Sequence, residues 1–154
     1  MIPLIPDDSA TLVLRRVFKA KRPRVFRAWI EPDVLQLWFR PRGLRMTVSQ
    51  LEARVGGSFR FDIENGVSIT GTYLHVIPPQ RLSFTWSDAS VQGQETIVTL
   101  DFFDLGTSTE VVLTHERLST QEMRALFSGG WPSLLDLLAQ VISGPQDVQG
   151  ALRC

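Results

Sequence analysis

Hydrophobic residues follow two different periods along this chain, a strand period through most of its length and a helix period near its end. Between Trp131 and Ile142 the apolar residues recur at spacings of three and four, so they form one stripe along a helix. A single terminal helix with such a stripe must bury it, and the only large partner that the rest of the sequence offers is a sheet. We therefore predict a sheet that grips a C-terminal helix and leaves room for a cavity between the two.

Seven segments ahead of this helix have the pattern of apolar and polar residues that is typical of strands. They are residues 11–18, 44–49, 59–64, 67–77, 81–87, 95–103 and 109–115. Asn65 and Gly66 give the strongest hairpin signal, and Gly56 and Gly57 supply the positive-φ positions that another tight reversal requires. The connections between the later strands are short, which favours antiparallel neighbours because parallel strands need long crossovers.

Two short helices are predicted directly after the first strand. Pro23 suits the first turn of a helix that Pro32 ends, and residues 33–39 form the second helix. The predicted order is one strand, two short helices, six strands and a long helix. This order indicates an α+β domain with an antiparallel sheet of about seven strands.

The start and the middle of the long helix carry separate signals. Residues 119–122 match a capping box, in which Ser119 and Glu122 satisfy the free amide donors of the first turn. Gly129 and Gly130 are expected to kink or interrupt the helix before its apolar stripe.

Composition and charge limit the partners that the chain can have. Its 154 residues suit one domain, predicted at 9–144 with flexible termini at 1–8 and 145–154. The 16 basic and 16 acidic residues cancel and form no dense basic run, which argues against nucleic acid and against an anionic membrane. The sole cysteine, Cys154, permits neither a disulfide framework nor a zinc thiolate cluster. The N-terminus lacks the pattern of a signal peptide and no apolar run approaches a membrane span, so we expect a cytoplasmic protein.

Five short motifs in a fixed order resemble those of a known superfamily. They are residues 28–32 with Trp38 following, 55–59, 71–73 ahead of 78–82, 109–115, and Gly130 with Trp131. Together they resemble the START-like (SRPBCC) superfamily, most closely the branch named after the activator of the heat-shock protein 90 ATPase. The resemblance covers nearly the whole ordered chain. It implies a helix-grip fold, in which a sheet wraps the C-terminal helix around an elongated cavity for an apolar ligand.

The same fold hosts lipid and hormone carriers, polyketide cyclases, drug-sequestering proteins and co-chaperone domains, so the resemblance does not imply one activity. Members of the family often pair, and exposed sheet edges can be covered in a homodimer, so a homodimer is expected. Trp29 and Trp38 fit best in the core of the helical pair, although in the family this pair flanks a cavity mouth.

A set of mostly aromatic residues is predicted to line the cavity, because ligand pockets are largely apolar with few polar groups. The set comprises Trp38, Phe59, Phe61, Tyr73, His75, Phe84, Trp86, Phe102, His115, Phe127, Trp131 and Leu135. The alternative for each of them is plain core packing, since a sheet of this size needs several such residues to cover its helix.

The two histidines are the candidates for chemistry, because His75 and His115 share the strand parity of apolar neighbours. If both point inward, they can orient a ligand or act as general acid and base. A buried histidine satisfied by a backbone carbonyl is the commoner case. Neither histidine has an Asp or Glu ligand pattern nearby, so no metal is expected, and no other cofactor is expected either.

The sequence offers no other catalytic motif. Asp101 and Glu95 fall on the opposite parity from the apolar residues of their strand, which removes a paired-carboxylate mechanism. Arg60, Asp62 and Glu64 likewise indicate a solvated face. No nucleophile elbow surrounds Ser133, and no Gly-rich phosphate loop opens a helix after a strand.

Three functional hypotheses remain. The first is a non-catalytic module that binds a small, largely apolar molecule between the sheet and the C-terminal helix. The second is an enzyme of the cyclase or hydratase kind, in which Tyr73, His75 or His115 moves a proton. The third is a protein-interaction role like that of the co-chaperone branch, with a chaperone as partner.

Overall fold

The computed structural model of the protein describes residues 10–91 and 94–142, which form a seven-stranded antiparallel sheet and three α-helices. The elements are β1 (Leu12–Phe18), α1 (Arg22–Arg27), α2 (Pro32–Trp38), β2 (Met46–Leu51), β3 (Ser58–Ile63), β4 (Ser68–Ile77), β5 (Arg81–Trp86), β6 (Thr96–Asp104), β7 (Thr109–Glu116) and α3 (Gln121–Ile142). The predicted α+β helix-grip fold and its element order are confirmed. The predicted domain limits and flexible termini lie outside the described residues.

The strand order is β1-β7-β6-β5-β4-β3-β2, so β1 and β2 form opposite edges of the sheet. Strands β2 to β7 form a continuous antiparallel meander, because short connections join them. The segment that contains α1 and α2, residues 22–39, carries the chain from one edge to the other. In this segment α1 packs against β6, and α2 packs against β2 and α3.

Both predicted strand reversals form, but not every glycine in them has the predicted positive φ. Only Gly56 of the first pair has positive φ, at 84°. Gly57 is needed for close approach, because a Cβ there would lie 2.1 Å from the carbonyl oxygen of Glu52. At the second reversal Gly66 has positive φ, and the side-chain oxygen of Asn65 accepts a hydrogen bond from the Val67 amide.

The last helix is continuous from Gln121 to Ile142, so the predicted interruption at Gly129 and Gly130 is wrong. Buried side chains precede and follow the two glycines along one stripe. They are Met123, Phe127, Trp131, Leu134, Leu135, Leu138 and Ile142. Their burial outweighs the propensity cost of about 1 kcal/mol for each helical glycine, because tertiary packing supplies most helix stability in proteins.

The predicted capping box at the start of α3 is also wrong in detail. The Thr120 hydroxyl, rather than that of Ser119, accepts the hydrogen bond from the Met123 amide at 3.1 Å. Ser119 instead donates to the side chain of Gln94. At the other end the guanidinium of Arg24 donates to the carbonyl of Ile142 at 3.1 Å, which suits the negative end of the helix dipole.

By length and composition α3 could cross a membrane, but its position identifies it as a core helix. Its apolar stripe is buried within the domain, whereas Glu122, Asp136 and Gln140 are exposed on the other side. Asp136 forms an ion pair of 2.8 Å with Arg16 of β1. Arg16 lies on the same side of β1 as Leu12, Leu14 and Phe18, and the ion pair accounts for a charged residue in that position.

Candidate ligand cavity

A small cavity lies between the segment of α1 and α2 and the strands β3, β4 and β5. Its wall consists of Trp29, Leu35, Phe39, Phe59, Phe61, Tyr73, Phe84 and Trp86. The volume is about 10 Å³, which is room for roughly one water molecule. Seven of the eight wall residues are aromatic, so the enclosed surface is largely apolar.

Edge-to-face and tilted contacts between these rings account for the small volume. Phe59 contacts Phe61 and Phe84 at ring-centroid distances of 4.8 and 5.4 Å. Across the cavity, Phe39 contacts Phe61 at 5.5 Å and Trp86 at 5.8 Å. These are preferred geometries for aromatic pairs, so the rings fill most of the space between them.

A glycine on β4 makes room for one of these rings. Gly71 pairs with Phe59 in the sheet, and a Cβ at Gly71 would lie 2.4 Å from the Phe59 ring and 2.0 Å from the Thr85 carbonyl oxygen. Any side chain here would push the Phe59 ring into the cavity or force the strands apart.

The local structure before α2 explains how Trp29 reaches the wall. Helix α1 ends at Arg27, earlier than predicted, and residues 28–30 form a tight turn. Pro32 has no amide hydrogen, so it cannot bind the Ala28 carbonyl as a continuing helix would. The indole Nε1 of Trp38 donates to that carbonyl instead, at 2.9 Å, and the Trp29 and Trp38 rings meet edge to face at 4.7 Å.

The cavity differs in position from the sequence prediction, which placed it between the sheet and the C-terminal helix. No residue of α3 is part of its wall. Helix α3 instead packs behind two wall residues through Trp131. The ring centroid of Trp131 lies 5.4 Å from that of Trp86 and 6.2 Å from that of Trp29. Leu135 is buried in the core rather than at the cavity.

Five of the twelve predicted residues line the cavity: Phe59, Phe61, Tyr73, Phe84 and Trp86. Six others are buried away from it, namely Trp38, Phe102, His115, Phe127, Trp131 and Leu135. Phe102, for example, packs against Phe26 at 5.2 Å. Of the six, only Phe102 and His115 lie on strands, and both share the buried face of the sheet with the cavity residues, so strand parity alone could not separate core from wall.

Trp29, Leu35 and Phe39 belong to the wall but not to the predicted set. Two signals could have identified the first two, and none pointed to Phe39. Leu35 shares the apolar face of α2 with Trp38, and the resemblance already placed Trp29 near a cavity mouth.

His75 is exposed, so its predicted place in the cavity is wrong. A bulge in β4 shifts the pairing register between Tyr73 and His75. The extra residue in β4 exchanges the two faces of the strand for all positions after the bulge. Val76 therefore packs on the apolar side, and His75 faces outward.

His115 is buried within a series of hydrogen-bonded side chains rather than in the cavity wall. The Trp131 indole N–H donates to its Nδ1 at 3.1 Å. An accepting Nδ1 leaves the proton of a neutral imidazole on Nε2, which then donates to the Thr96 hydroxyl at 2.7 Å. Thr96 in turn donates to the Trp86 carbonyl at 2.9 Å. Every donor in this hydrogen-bond series has an acceptor, which fixes the tautomer of His115.

Burial lowers the pKa of His115 to about 4, against a smaller opposing effect of Asp88. A proton on Nδ1 would also turn that atom from an acceptor into a second donor facing the Trp131 N–H. His115 is therefore neutral near pH 7 with both nitrogens occupied. This arrangement suits a structural role better than proton transfer.

Three side-chain polar groups belong to the cavity wall. The Trp86 N–H donates to the Asp88 carboxylate at 2.9 Å. The Trp29 side chain is buried, and its N–H has no hydrogen-bond partner among the residues that the structure describes. Tyr73 contributes the only hydroxyl of the wall, and burial raises the pKa of that phenol. The wall thus offers an uncommitted donor and a protonated phenol.

The outer face of the sheet carries charged residues, as predicted from parity, and some of them form ion pairs. Arg81 and Asp101 lie on neighbouring strands and pair at 2.7 Å. The Arg60 guanidinium holds the pKa of the Asp62 carboxyl well below its usual range, with help from Ser49 and Ser68. Within residues 10–91 and 94–142, no group of three or more His, Cys, Asp or Glu side chains could hold a metal ion.

Comparison with known proteins connects this geometry to a family. The family model described as "Activator of Hsp90 ATPase homolog 1-like protein" matches residues 19–143. No relative was found among curated proteins.

Several solved structures are similar over most of their length. Protein CV1439 from Chromobacterium violaceum is 25% identical, with a TM-score of 0.76, and the alignment covers 87% of this chain and 97% of that one. A Rhodobacter sphaeroides protein is 25% identical, with a TM-score of 0.75 and coverage of 90% and 92%. CalU16 from Micromonospora echinospora is 24% identical, with a TM-score of 0.67 and coverage of 90% and 79%.

Proposed function

We propose that this chain, which belongs to the family of Activator of Hsp90 ATPase homolog 1-like proteins, binds a small, largely apolar molecule in the cavity. The supporting observation is the wall of seven aromatic residues and one leucine that encloses the cavity. Ligand sites are typically concave and apolar, with a small number of polar groups that fix orientation. The proposed place of action is the cytoplasm, as the sequence led us to expect, and α3 packs as a core helix of the domain.

The wall must open for a ligand to enter. Pockets for small molecules measure about 300–1,000 Å³, whereas this cavity measures about 10 Å³. Three wall residues belong to the segment of α1 and α2, whose helices have only six and seven residues. The other five belong to the sheet, whose strands are held by hydrogen-bond ladders. Outward movement of the helical segment would therefore leave the backbone hydrogen bonds between the strands intact, whereas separation of the strands would break them.

The proposed function includes no chemical step. His75 faces outward, and His115 is neutral with both ring nitrogens bonded. Of the three residues in the enzyme hypothesis, only Tyr73 lies on the wall, and burial keeps its phenol protonated. A group that neither gains nor loses a proton near pH 7 is a poor general acid or base.

Native mass spectrometry of protein purified from its own host, followed by thermal shift against apolar compounds, tests the proposal. Compounds that bind the folded state raise its stability by about 2.7 kcal/mol at 100 times Kd. For a domain of this size we expect Tm to rise by about 5–10 °C. Failure to find any co-purified or stabilising compound would contradict the proposal.

Two matched variants locate the binding site. Phe61→Leu changes a cavity residue, and Phe102→Leu changes an equally buried phenylalanine of the same sheet that lies away from the cavity. We expect Phe61→Leu to weaken the best compound about tenfold through lost apolar contact, and Phe102→Leu to change its Kd less than twofold. Equal effects of both substitutions on Kd would place binding elsewhere.

The family description supports one alternative, in which the chain acts on a chaperone. If no compound binds and the purified chain raises the ATPase rate of the host's Hsp90, this interaction role replaces ligand binding.

A further inference from the structure

Building on the proposed function, we infer that the ligand carries a hydrogen-bond acceptor, such as a carbonyl oxygen, and that the Trp29 indole N–H binds it. The ligand class is therefore a compact apolar molecule with a carbonyl or comparable acceptor, rather than a pure hydrocarbon.

Trp29 carries this inference because it combines three properties. Its side chain is only 5% exposed, its N–H has no partner among the described residues, and its ring belongs to the cavity wall. Buried polar groups in native proteins are almost always hydrogen-bonded, so an exception needs an explanation. A partner that arrives with the ligand provides one.

The indole N–H groups of the other three tryptophans all have a hydrogen-bond acceptor within the fold. Trp38 donates to the Ala28 carbonyl, Trp86 donates to Asp88, and Trp131 donates to His115. Each of these bonds measures between 2.9 and 3.1 Å. Trp29 is the exception among the four tryptophans of the chain, and it lies in the wall of the proposed site.

A single water molecule is a weaker explanation. Buried water typically makes about three hydrogen bonds. The wall side chains offer only Trp29 and the Tyr73 hydroxyl as uncommitted groups, because the Trp86 N–H is bound to Asp88. A ligand oxygen needs only one donor, since apolar contact with the rings holds the rest of the molecule.

Tyr73 contributes a second donor group to the same wall. Its phenol remains protonated because burial raises its pKa, so the hydroxyl can donate as well. A carbonyl oxygen has two lone pairs and can accept from both groups.

Pairs of near-isosteric probes test the inference on the full chain. Acetophenone and cyclohexanone carry a carbonyl oxygen where α-methylstyrene and methylenecyclohexane carry a methylene carbon. We expect each ketone to bind about tenfold tighter than its hydrocarbon partner, measured by NMR titration. The indole ¹H–¹⁵N signal of Trp29, assigned from its absence in Trp29→Phe, is expected to move downfield only with the ketones.

The control variant is Trp86→Phe, which makes the same change of ring in the same wall but removes an N–H already bound to Asp88. Trp29→Phe should abolish the preference for ketones, whereas Trp86→Phe should weaken ketones and hydrocarbons alike and so keep the ratio of their Kd values. The Trp38 and Trp131 indole signals serve as internal references for bonded N–H groups.

The possible failures are distinguishable. Equal binding of ketones and hydrocarbons, with an unmoved Trp29 signal, overturns the acceptor inference and leaves the proposed function standing. A Trp29 signal that is shifted upfield and ignores every probe assigns its N–H to the face of the Trp38 ring and also overturns the inference. Absence of binding by all four probes, together with a failed compound screen, contradicts the proposed function itself.

Discussion

At the scale of single residues, His115 shows how burial decides chemistry. Its imidazole is fully buried, accepts from Trp131 and donates to Thr96. The same residue type on β4, His75, is exposed. The two hydrogen bonds of His115 therefore link β7 to α3 and to β6, and they occupy the nitrogens that an acid or base would need.

We predict that His115 makes stability depend on pH in a definite window. Its pKa is about 4 in the folded chain and about 6.5 when unfolded, so the unfolded state binds more protons between these values. Its contribution is present above pH 6.5 and is lost as pH falls toward 4, by about 3 kcal/mol in total. Urea unfolding of the wild type and of His115→Gln at several pH values measures this difference.

Glutamine is a suitable replacement because its amide can accept from Trp131 and donate to Thr96 without titrating. Above pH 7 the two proteins should differ by a constant amount. Wild-type and variant stabilities that run parallel from pH 7 to pH 4 would contradict the prediction.

At the scale of secondary-structure elements, packing overrides local propensity in α3. Gly129, Gly130 and Pro132 lie within one helix, although each disfavours a helix interior. The buried stripe on the sheet side holds the helix together, and the two glycines are exposed. Neither glycine has positive φ, and a Cβ at either position would meet no atom within 4 Å.

We predict that Gly129→Ala and Gly130→Ala each stabilise the protein by about 0.5–1 kcal/mol, because alanine loses less backbone entropy on folding. Tm should rise by about 1–4 °C for each substitution, measured by calorimetry. Gly71→Ala is the contrasting variant, since its Cβ would overlap the Thr85 carbonyl and the Phe59 ring. It should lower Tm, and a lower Tm for the helix variants as well would show that the glycines are needed for another reason.

At the scale of the whole molecule, the sheet, α3 and the segment of α1 and α2 share one core, in which α2 packs against α3. The central strands are buried and paired on both sides. The two short helices pack mainly against β6, β2 and α3. The strands are therefore held by hydrogen-bond ladders as well as by packing, whereas α1 and α2 are held to the rest of the molecule mainly by side-chain contacts.

We predict that this difference is visible in amide hydrogen exchange. Amides of α1 and α2 should exchange at least about tenfold faster than those of β5, β6 and β7, because local opening needs less free energy than unfolding the sheet. Saturating acetophenone should slow exchange in α1 and α2 selectively. Exchange in the two helices as slow as in β6, with or without the ketone, would argue against opening by this segment.

A structural feature could be predicted from the sequence when it depends on residues that are close together along the chain. The periods of the strands, the hairpin glycines and the stripe of α3 are set by neighbouring residues, so they indicated the α+β fold correctly. The cavity wall depends on residues far apart in sequence, such as Leu35 and Phe84. Parity identified five wall residues, but it could not distinguish them from core residues on the same face.

The sequence by itself determined the order of elements, the antiparallel sheet and the inner face of each regular strand. Only the tertiary structure decided that the cavity faces α1 and α2, that His75 points outward after the β4 bulge, and that the Trp29 N–H has no partner within the described chain. The physical reason is that secondary structure follows from local periodicity, whereas a cavity and an unmet hydrogen bond arise where separate elements meet.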